Sequence, residues 1–561
     1  MLFVIIIIKI KMFKTCKLEW QVNFLKSLGM VGCAALLVAC SGDPGGGGFL
    51  NSTGQVAVAT PAPGNVSAYA AARFLEQASW GPTPPSVKEV QRLGLSAWID
   101  QQFKTPASIA VAPSYVIDYD DDNLSARDKA WTFFPKTFYD HTLGGADQLR
   151  QRSAWALYNF IPIGNTGFAY GKVEYYNTLQ RGALGNFSDL IRNVTLNPLM
   201  GFFLNNDQNR ADRPNENYAR ELMQLFTVGL VKLNPDGSVQ RDTSGKTIET
   251  YTQQDVTQAT KALSGWGSDY SPFLPRTNGA NYGKPMIAQT WDGAHDKTSK
   301  TVLGSPIAGG QSASQDLDSL IGILVNHPNT APFVSRRLIQ SLVSSSPSPA
   351  YLSRVSAVFV SSRGDLAQVV KAVLLDPEAR AGDDPAQQIA RVGKMKEPVL
   401  AHTQVLRAMG CTQAVADSRN SKPDRVYEAW TQQAYFAPSV FGYYSPDHTA
   451  PESLVPAPEQ KLITSDEVRR RASDLTYRVE KKADFTQAGC EVDLFVNAAA
   501  TSDEALVALI NERFFKGAMP APLRLGAKNL LTQDLVNQTP QRKFTELLQI
   551  LISTPTFGVV K

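Results

Sequence analysis

From Tyr69 to Phe557 the chain repeats one pattern: apolar residues at three- and four-residue spacing, in short runs cut off by proline or glycine. YAAARFLEQASWGPT sets Ala72, Leu75 and Ala78 on one helical face before Gly81 and Pro82 stop the run. VTLNPLM, VLLDPEA and LISTPTF each end an apolar helical run in a small polar residue and a proline, which cannot take the next helical position without a clash. The material between these stops is unlike, which excludes a regular solenoid. With 561 residues, core burial is not limiting. The expected fold is therefore mainly α: one large multi-helical domain with long loops. At most a small β-hairpin insertion is expected, at VKLNPDGSVQ, whose Pro-Asp-Gly turn separates two alternating stretches. A sub-domain boundary is expected near 385–425. Between Gly267 and Gly304 the chain is polar, aromatic and glycine rich, as a long surface excursion lining a site would be.

The N-terminus points to export. LGMVGCAALLVA has the length of a signal h-region and is too short to span a bilayer comfortably. It runs into LVAC followed by Ser41, so residues 1–40 read as a signal peptide with a lipobox and Cys40 as the lipidated residue. Residues 41–69, rich in glycine, serine and proline, read as a flexible tether. This predicts an outer-membrane lipoprotein of the cell envelope, held by its lipid anchor alone. Of five cysteines only Cys411 and Cys490 lie in the folded body, where an oxidising compartment would allow one disulfide. The formal charge of +4 and the absence of any long Lys/Arg block exclude a nucleic-acid footprint.

Most catalytic signatures are missing: GxSxG, the Walker loop, HExxH, CxxCH and GxGxxG do not occur, and the five histidines are scattered. The densest chemistry is in NNDQNRADRPNENYARELMQLFTVGL, residues 205–230. Asn215 reads as an N-cap, Glu216 and Arg220 are helical i,i+4 partners, as are Asn217 and Glu221, and Gly229 ends the helix. Read structurally, this is a helix with one side bridge and a buried seam. Read functionally, Asp207 and the neighbouring asparagines would bind a polyhydroxylated ligand or calcium, although Ala211 and Asp212 break the EF-hand pattern. No other cofactor is expected, and no metal site can be assigned. The acidic run Asp118, Asp120, Asp121 and Asp122 reads as a solvated turn, with calcium the minor alternative. Three further clusters stand out. Trp291, His295 and Asp296 share the glycine-rich excursion, where a histidine beside a carboxylate would suit proton transfer. His327 precedes Arg336 by a few helical turns, and arginine suits a carboxylate or phosphate. Tyr444 lies among aromatics in FAPSVFGYYSPDHTAPE, as in a carbohydrate-like surface.

AARFLEQASWGPT, PNENYARELMQLFTVGL, YTQQDVTQATKALSGW, WDGAHDKTSKTVLG, NHPNTAPFVSRRLIQSLV and FAPSVFGYYSPD occur in the order in which they do in the bacterial DUF1800 family, which the chain resembles over about residues 70–561. The resemblance implies an exported, large, mainly helical body and an exported DUF1501-family protein as partner. It carries no reaction. It marks Asn215, Glu216, Asn217, Ala219, Arg220, Glu221 and Leu222 as motif positions, together with Asp255, Trp266, His295, Asp296 and Gly304. His327, Pro328, Arg336, Pro438 and Pro446 complete the set. Relatives often carry a histidine-rich helix where WALYNFIPIG stands, and no histidine occurs there. The expected function is binding of an extracellular glycan or assistance in assembling a partner. The alternative is a hydrolase or lyase with Glu216 or Glu221, His295 and Asp296 as proton-transfer groups and Asn217, Arg220, Asp207, Trp291, His327, Arg336 and Tyr444 as binding groups.

Overall fold

The structure is a computed structural model that describes residues 64–560, except 118–122, 165, 167, 273–278, 387–392, 416–431, 454 and 481. The lipobox, most of the tether, the Asp118–Asp122 run and much of the expected 385–425 boundary therefore lie outside the described residues. The fold is mainly α, as the spacing predicts. The β content is three two-stranded antiparallel pairings among the described residues. No described helix is long and apolar enough to cross a membrane.

Local chemistry explains where helices begin. α1 (Ala68–Ala78) starts where Ser67 accepts from the Ala70 N–H, and it buries Phe74, Leu75 and Ala78. α2 (Gln148–Tyr158) is buried at every residue but Arg150. Two of the proline stops are also starts. After α3 (Phe187–Thr195), Asn197 caps α4 (Pro198–Phe203), with Pro198 at the first helical position. Asp376 does the same after the helix Leu366–Leu375. Proline there loses no hydrogen bond, since the first helical N–H has no partner within the helix.

The run 217–226 departs from a plain α-helix. α5 (Asn217–Glu221) passes directly into a π-turn over Leu222–Phe226. The Thr227 hydroxyl donates to the Leu222 carbonyl at 2.6 Å, and the Val228 and Gly229 N–H groups both reach the Met223 carbonyl. Gly229 has φ +73°, and a Cβ there would sit 2.8 Å from the Phe333 ring. Glycine is thus needed both for the left-handed turn and for the close approach.

α6 (Gln253–Ala262) opens with the capping box its sequence predicts: Thr252 and Asp255 bond reciprocally. Two short pairings follow, β1 (Trp266–Gly267) with β2 (Ile287–Ala288) and β3 (Lys300–Val302) with β4 (Ser305–Ile307). The Pro-Asp-Gly turn forms too, with Leu233 bridging Val239. α7 (Ala313–Val325) packs on α3 and α6. α8 (Thr330–Leu342) packs on α2. β5 (Lys394–Met395) pairs with β6 (Val559–Val560), joining the C-terminal end to the segment before α9 (Pro398–Ala408). Cys411 and Cys490 are disulfide-bonded. The core is rich in rings: Trp155 and Tyr158 lie 5.6 Å apart, and Tyr158 and Tyr435 4.2 Å apart. Such pairs add ~0.5–1.5 kcal/mol each beyond area burial.

Candidate functional site

Asn209 organises the loop that leads into α5. Its amide N–H₂ donates to the Thr260 carbonyl at 2.8 Å, and its side-chain oxygen accepts from Asn215 N–H. Its own carbonyl accepts from Gly265 N–H at 2.8 Å. One buried asparagine therefore ties residues 205–216 to the end of α6 and to β1. Gly265, at φ +87°, lies against His295, where a Cβ would come within 2.9 Å of the histidine Cβ. Gln289 N–H donates to the Gly265 carbonyl and brings β2 alongside.

These ties open a groove of about 560 Å³, lined by residues from 207–210, 265–271 and 287–291. Trp291 and Tyr270 stand in it as exposed rings, 42% and 56% exposed. The Arg210 guanidinium lies 5.3 Å from the centre of the Trp291 ring. Trp266 is buried, and its indole N–H makes no hydrogen bond within the described residues. The same holds for Asp207 Oδ1, and burial pushes this carboxyl up to about 6. Asp269, also in the lining, is held below the ordinary carboxylate range by the Ser271 N–H and by Lys284 at 3.2 Å. The groove thus combines exposed aromatic faces with polar atoms whose bonding capacity is unspent.

Asp207 and Trp291, both expected in a site, meet here. His295 and Asp296 do not line the groove; they build the ionic cluster behind Gly265. The His295 side chain is 6% exposed, with Nδ1 2.9 Å from the Ser264 carbonyl and Nε2 3.2 Å from Asp316 Oδ2. Lys300 Nζ reaches Asp316 at 2.6 Å and donates to the Asp296 and Thr298 carbonyls. Burial would raise the Asp296 carboxyl, but the Thr298 hydroxyl and N–H, with Lys300 and Lys261, outweigh it and hold it low. Asp296 also anchors its own loop, its N–H donating to the Ser264 hydroxyl. Geometry makes these two residues supports for the groove wall.

Glu216 fastens α5 to α6. Its Oε2 accepts from Arg220 at 3.0 Å and from Gln253 at 2.8 Å, and its Oε1 from Thr257 at 3.0 Å. Arg220 also donates to the Gln253 side-chain oxygen, and Asn217 to that of Asn205. Glu221 is nearly enclosed, its Oε2 unbonded, and burial raises its carboxyl against the opposing pull of Arg220. Among the described residues no hydrogen bond or ion pair joins Glu216 or Glu221 to His295. His327 Nδ1 accepts from Asn329 N–H, and burial, with Lys232 nearby, lowers the imidazole. Arg336 pairs with Asp447 at 3.3 Å, and the Tyr444 hydroxyl reaches Glu397 at 3.3 Å, both away from the groove. No group of three or more His, Cys, Asp or Glu that could hold a metal occurs among the described residues.

The reading from residues missed Arg210, Asp269 and Tyr270. Their only signal was general: the polar, aromatic and glycine-rich character of the excursion that begins at Gly267. A family model described as "Protein of unknown function (DUF1800)" matches residues 73–559. No curated protein and no solved structure matches the chain.

Proposed function

The chain belongs to the DUF1800 family, whose description assigns no activity, and we propose that its groove binds an extracellular glycan. One observation carries the reading: exposed Trp291 and Tyr270 share an open groove with Asp207 and Trp266, whose buried polar atoms are unbonded. A sugar ring offers C–H faces that stack on aromatic rings and hydroxyls that meet polar groups lining a groove. A volume of about 560 Å³ falls in the range of small-molecule sites, ~300–1,000 Å³. Arg210 over Trp291 would hold the indole in its stacking orientation before ligand arrives, which reduces the ordering lost on binding. In this reading Cys40 carries the lipid that keeps the protein at the outer membrane. The groove then faces envelope or external polysaccharide, and a DUF1501-family protein is the expected exported partner.

Hydrolysis is the second reading, and one observation favours it. Asp207 is driven up and Asp269 down within a single groove, the separation a general acid and its ionised partner need. These two, and not Glu216, Glu221 or His295, would then carry the proton transfers.

The test is a glycan array on the purified protein, followed by calorimetry with the best ligand and an assay for released reducing ends. Binding is expected, and Trp291→Ala should weaken it about tenfold or more with unchanged melting temperature. Release of reducing ends that disappears in Asp207→Asn would convert the reading to a hydrolase. Absence of glycan binding by the unaltered protein would refute both.

A further inference from the structure

A second cleft, of about 130 Å³, lies where α2 ends, α8 passes and residues 440–446 and 458–459 close over. It is close to the size of an engineered cavity that holds one benzene ring, ~150 Å³. Phe160, Leu225, Val440 and Phe441 supply apolar walls. Asn159, Arg337, Gln340, Tyr444 and Glu459 supply polar ones.

The ionic groups in and behind these walls do not balance. Lys394 pairs with Glu459 at 2.8 Å, and the other Glu459 oxygen accepts from the Ser345 hydroxyl. Glu397 accepts from the Trp155 indole at 2.9 Å, from Gln432 at 2.7 Å and from Tyr444 at 3.3 Å. Arg152, 1% exposed, spends only Nη2, on the Ser341 carbonyl, and its Nε and Nη1 are unbonded. Arg337 makes no hydrogen bond within the described residues. Its Nη1 is buried, its guanidinium rests 4.8 Å from the centre of the Phe333 ring, and the nearby Asp447 is engaged by Arg336. Three cations therefore face two carboxylates, and burial drags Arg337 down to about 10. Arg337 is half-buried, and the one carboxylate that acts on it, Asp447, is already paired with Arg336, so the balance leaves a place for one more negative charge.

Two neutral groups add a second requirement. Asn159 is oriented by Glu397, toward which its N–H₂ points, and Gln340 by the Ser345 and Pro446 carbonyls, to which its N–H₂ donates. The Gln340 partners accept only, so that amide cannot be flipped and presents a buried oxygen, Oε1, with no donor. Asn159 N–H₂ also reaches the Ser341 hydroxyl at 3.4 Å, and its Oδ1 is buried and unbonded as well. A ligand that satisfies the cleft must bring both an anion and a hydrogen-bond donor.

We infer that this cleft binds a small organic acid that carries one carboxylate, at least one hydroxyl and an apolar body. The carboxylate lies on the planar guanidinium fork of Arg337. The hydroxyl donates to Asn159 or Gln340, and the body fills the space between Phe160, Leu225 and Phe441. The inference rests on none of the groove residues and stands independently of the glycan reading.

Calorimetry on the purified full-length protein tests it, with 3- and 4-hydroxybenzoate and 6-hydroxyhexanoate as probes. Benzoate, 4-hydroxybenzamide and tyramine serve as counterparts lacking the hydroxyl, the charge or its sign. At least one hydroxy acid should bind at least about tenfold more tightly than its uncharged amide or its amine counterpart. Benzoate should fall between them. Arg337→Gln should abolish that preference, and Trp291→Ala should leave it intact. If Arg337→Gln does not fold, Arg337→Lys keeps the charge but not the fork and should lose about tenfold in affinity. Equal binding of acid and amide, no binding of any hydroxy acid, or an unchanged preference in the folded Arg337 variant would overturn the inference.

Discussion

Glu76 and Asp207 are both carboxylates drawn out of water, and their acidities move in opposite directions. Glu76, on α1, meets Lys396 at 3.1 Å, Lys516 at 2.7 Å and the Gln404 amide at 2.6 Å. Burial would raise it, but the two lysines and the amide outweigh burial and bring it down to about 2. Asp207 has no such neighbours, and burial leaves it at about 6. The first region spends its polar groups on itself and so joins distant segments of the chain. The groove keeps Asp207 Oδ1 and the Trp266 indole N–H unspent, at a stability cost, as a site that must take a partner from outside would. The His295–Asp316–Lys300 cluster is held by ion pairs as the first kind is, although His295 Nε2 and the Asp316 oxygens make no hydrogen bond within the described residues and His295 looked in sequence like the second.

Breaking the partnered region should have the largest effect. Glu76→Ala leaves Lys396 and Lys516 buried without their carboxylate and is expected to destabilise the protein by about 3–5 kcal/mol, read by denaturant or thermal unfolding. The Glu76 contribution is fully present above its ordinary value of 4.5 and is lost as pH falls toward 2. The acid limb of the stability curve should therefore flatten in the variant. A variant with unchanged stability and an unchanged acid limb would mean that the triad holds nothing together.

The groove should respond with the opposite sign. The folded Asp207 keeps its proton up to about 6, the unfolded chain only to 3.8. Between those values the folded state binds the extra proton, so stability falls as pH rises through the window and stays lower above it. Asp207→Asn removes this penalty. It should stabilise the protein at pH 7 by about 1 kcal/mol, a figure discounted because the side chain retains part of its hydration. Destabilisation on this substitution would show that Asp207 is a structural carboxylate like Glu76. The smallest effect is expected at Glu216. Its pair with Arg220 is 35–40% exposed, so Glu216→Gln should cost about 0.5 kcal/mol or less. A loss of several kcal/mol there would move α5 into the partnered class.

The helical fold was legible because helix formation leaves a local mark. Apolar spacing, the Thr252–Asp255 capping box, the Glu216–Arg220 pair and the Gly229 stop all lie within a few residues of one another. The π-turn over 222–226 was not legible, since it depends on the Thr227 hydroxyl and on Phe333 from α8. The groove was half legible. Asp207 and Trp291 stood out by residue type, whereas Arg210, Asp269 and Tyr270 became meaningful only when Asn209 and Gly265 drew three separate segments together.

Sequence by itself determined the helical character, many of the positions where helices start and stop, and the DUF1800 membership, because each rests on short-range sterics, hydrogen bonding or ordered motifs. α5 differs, with Glu216 and not Asn215 at its cap position and the π-turn replacing its last α-turns before Gly229. Tertiary structure decided which polar side chains are spent and which remain available. That depends on partners far away in the chain: Lys516 for Glu76, Asp316 for His295, and none for Asp207 Oδ1 among the described residues. Burial and pairing set the free energy of a charged group, and neither can be read from its neighbours in sequence.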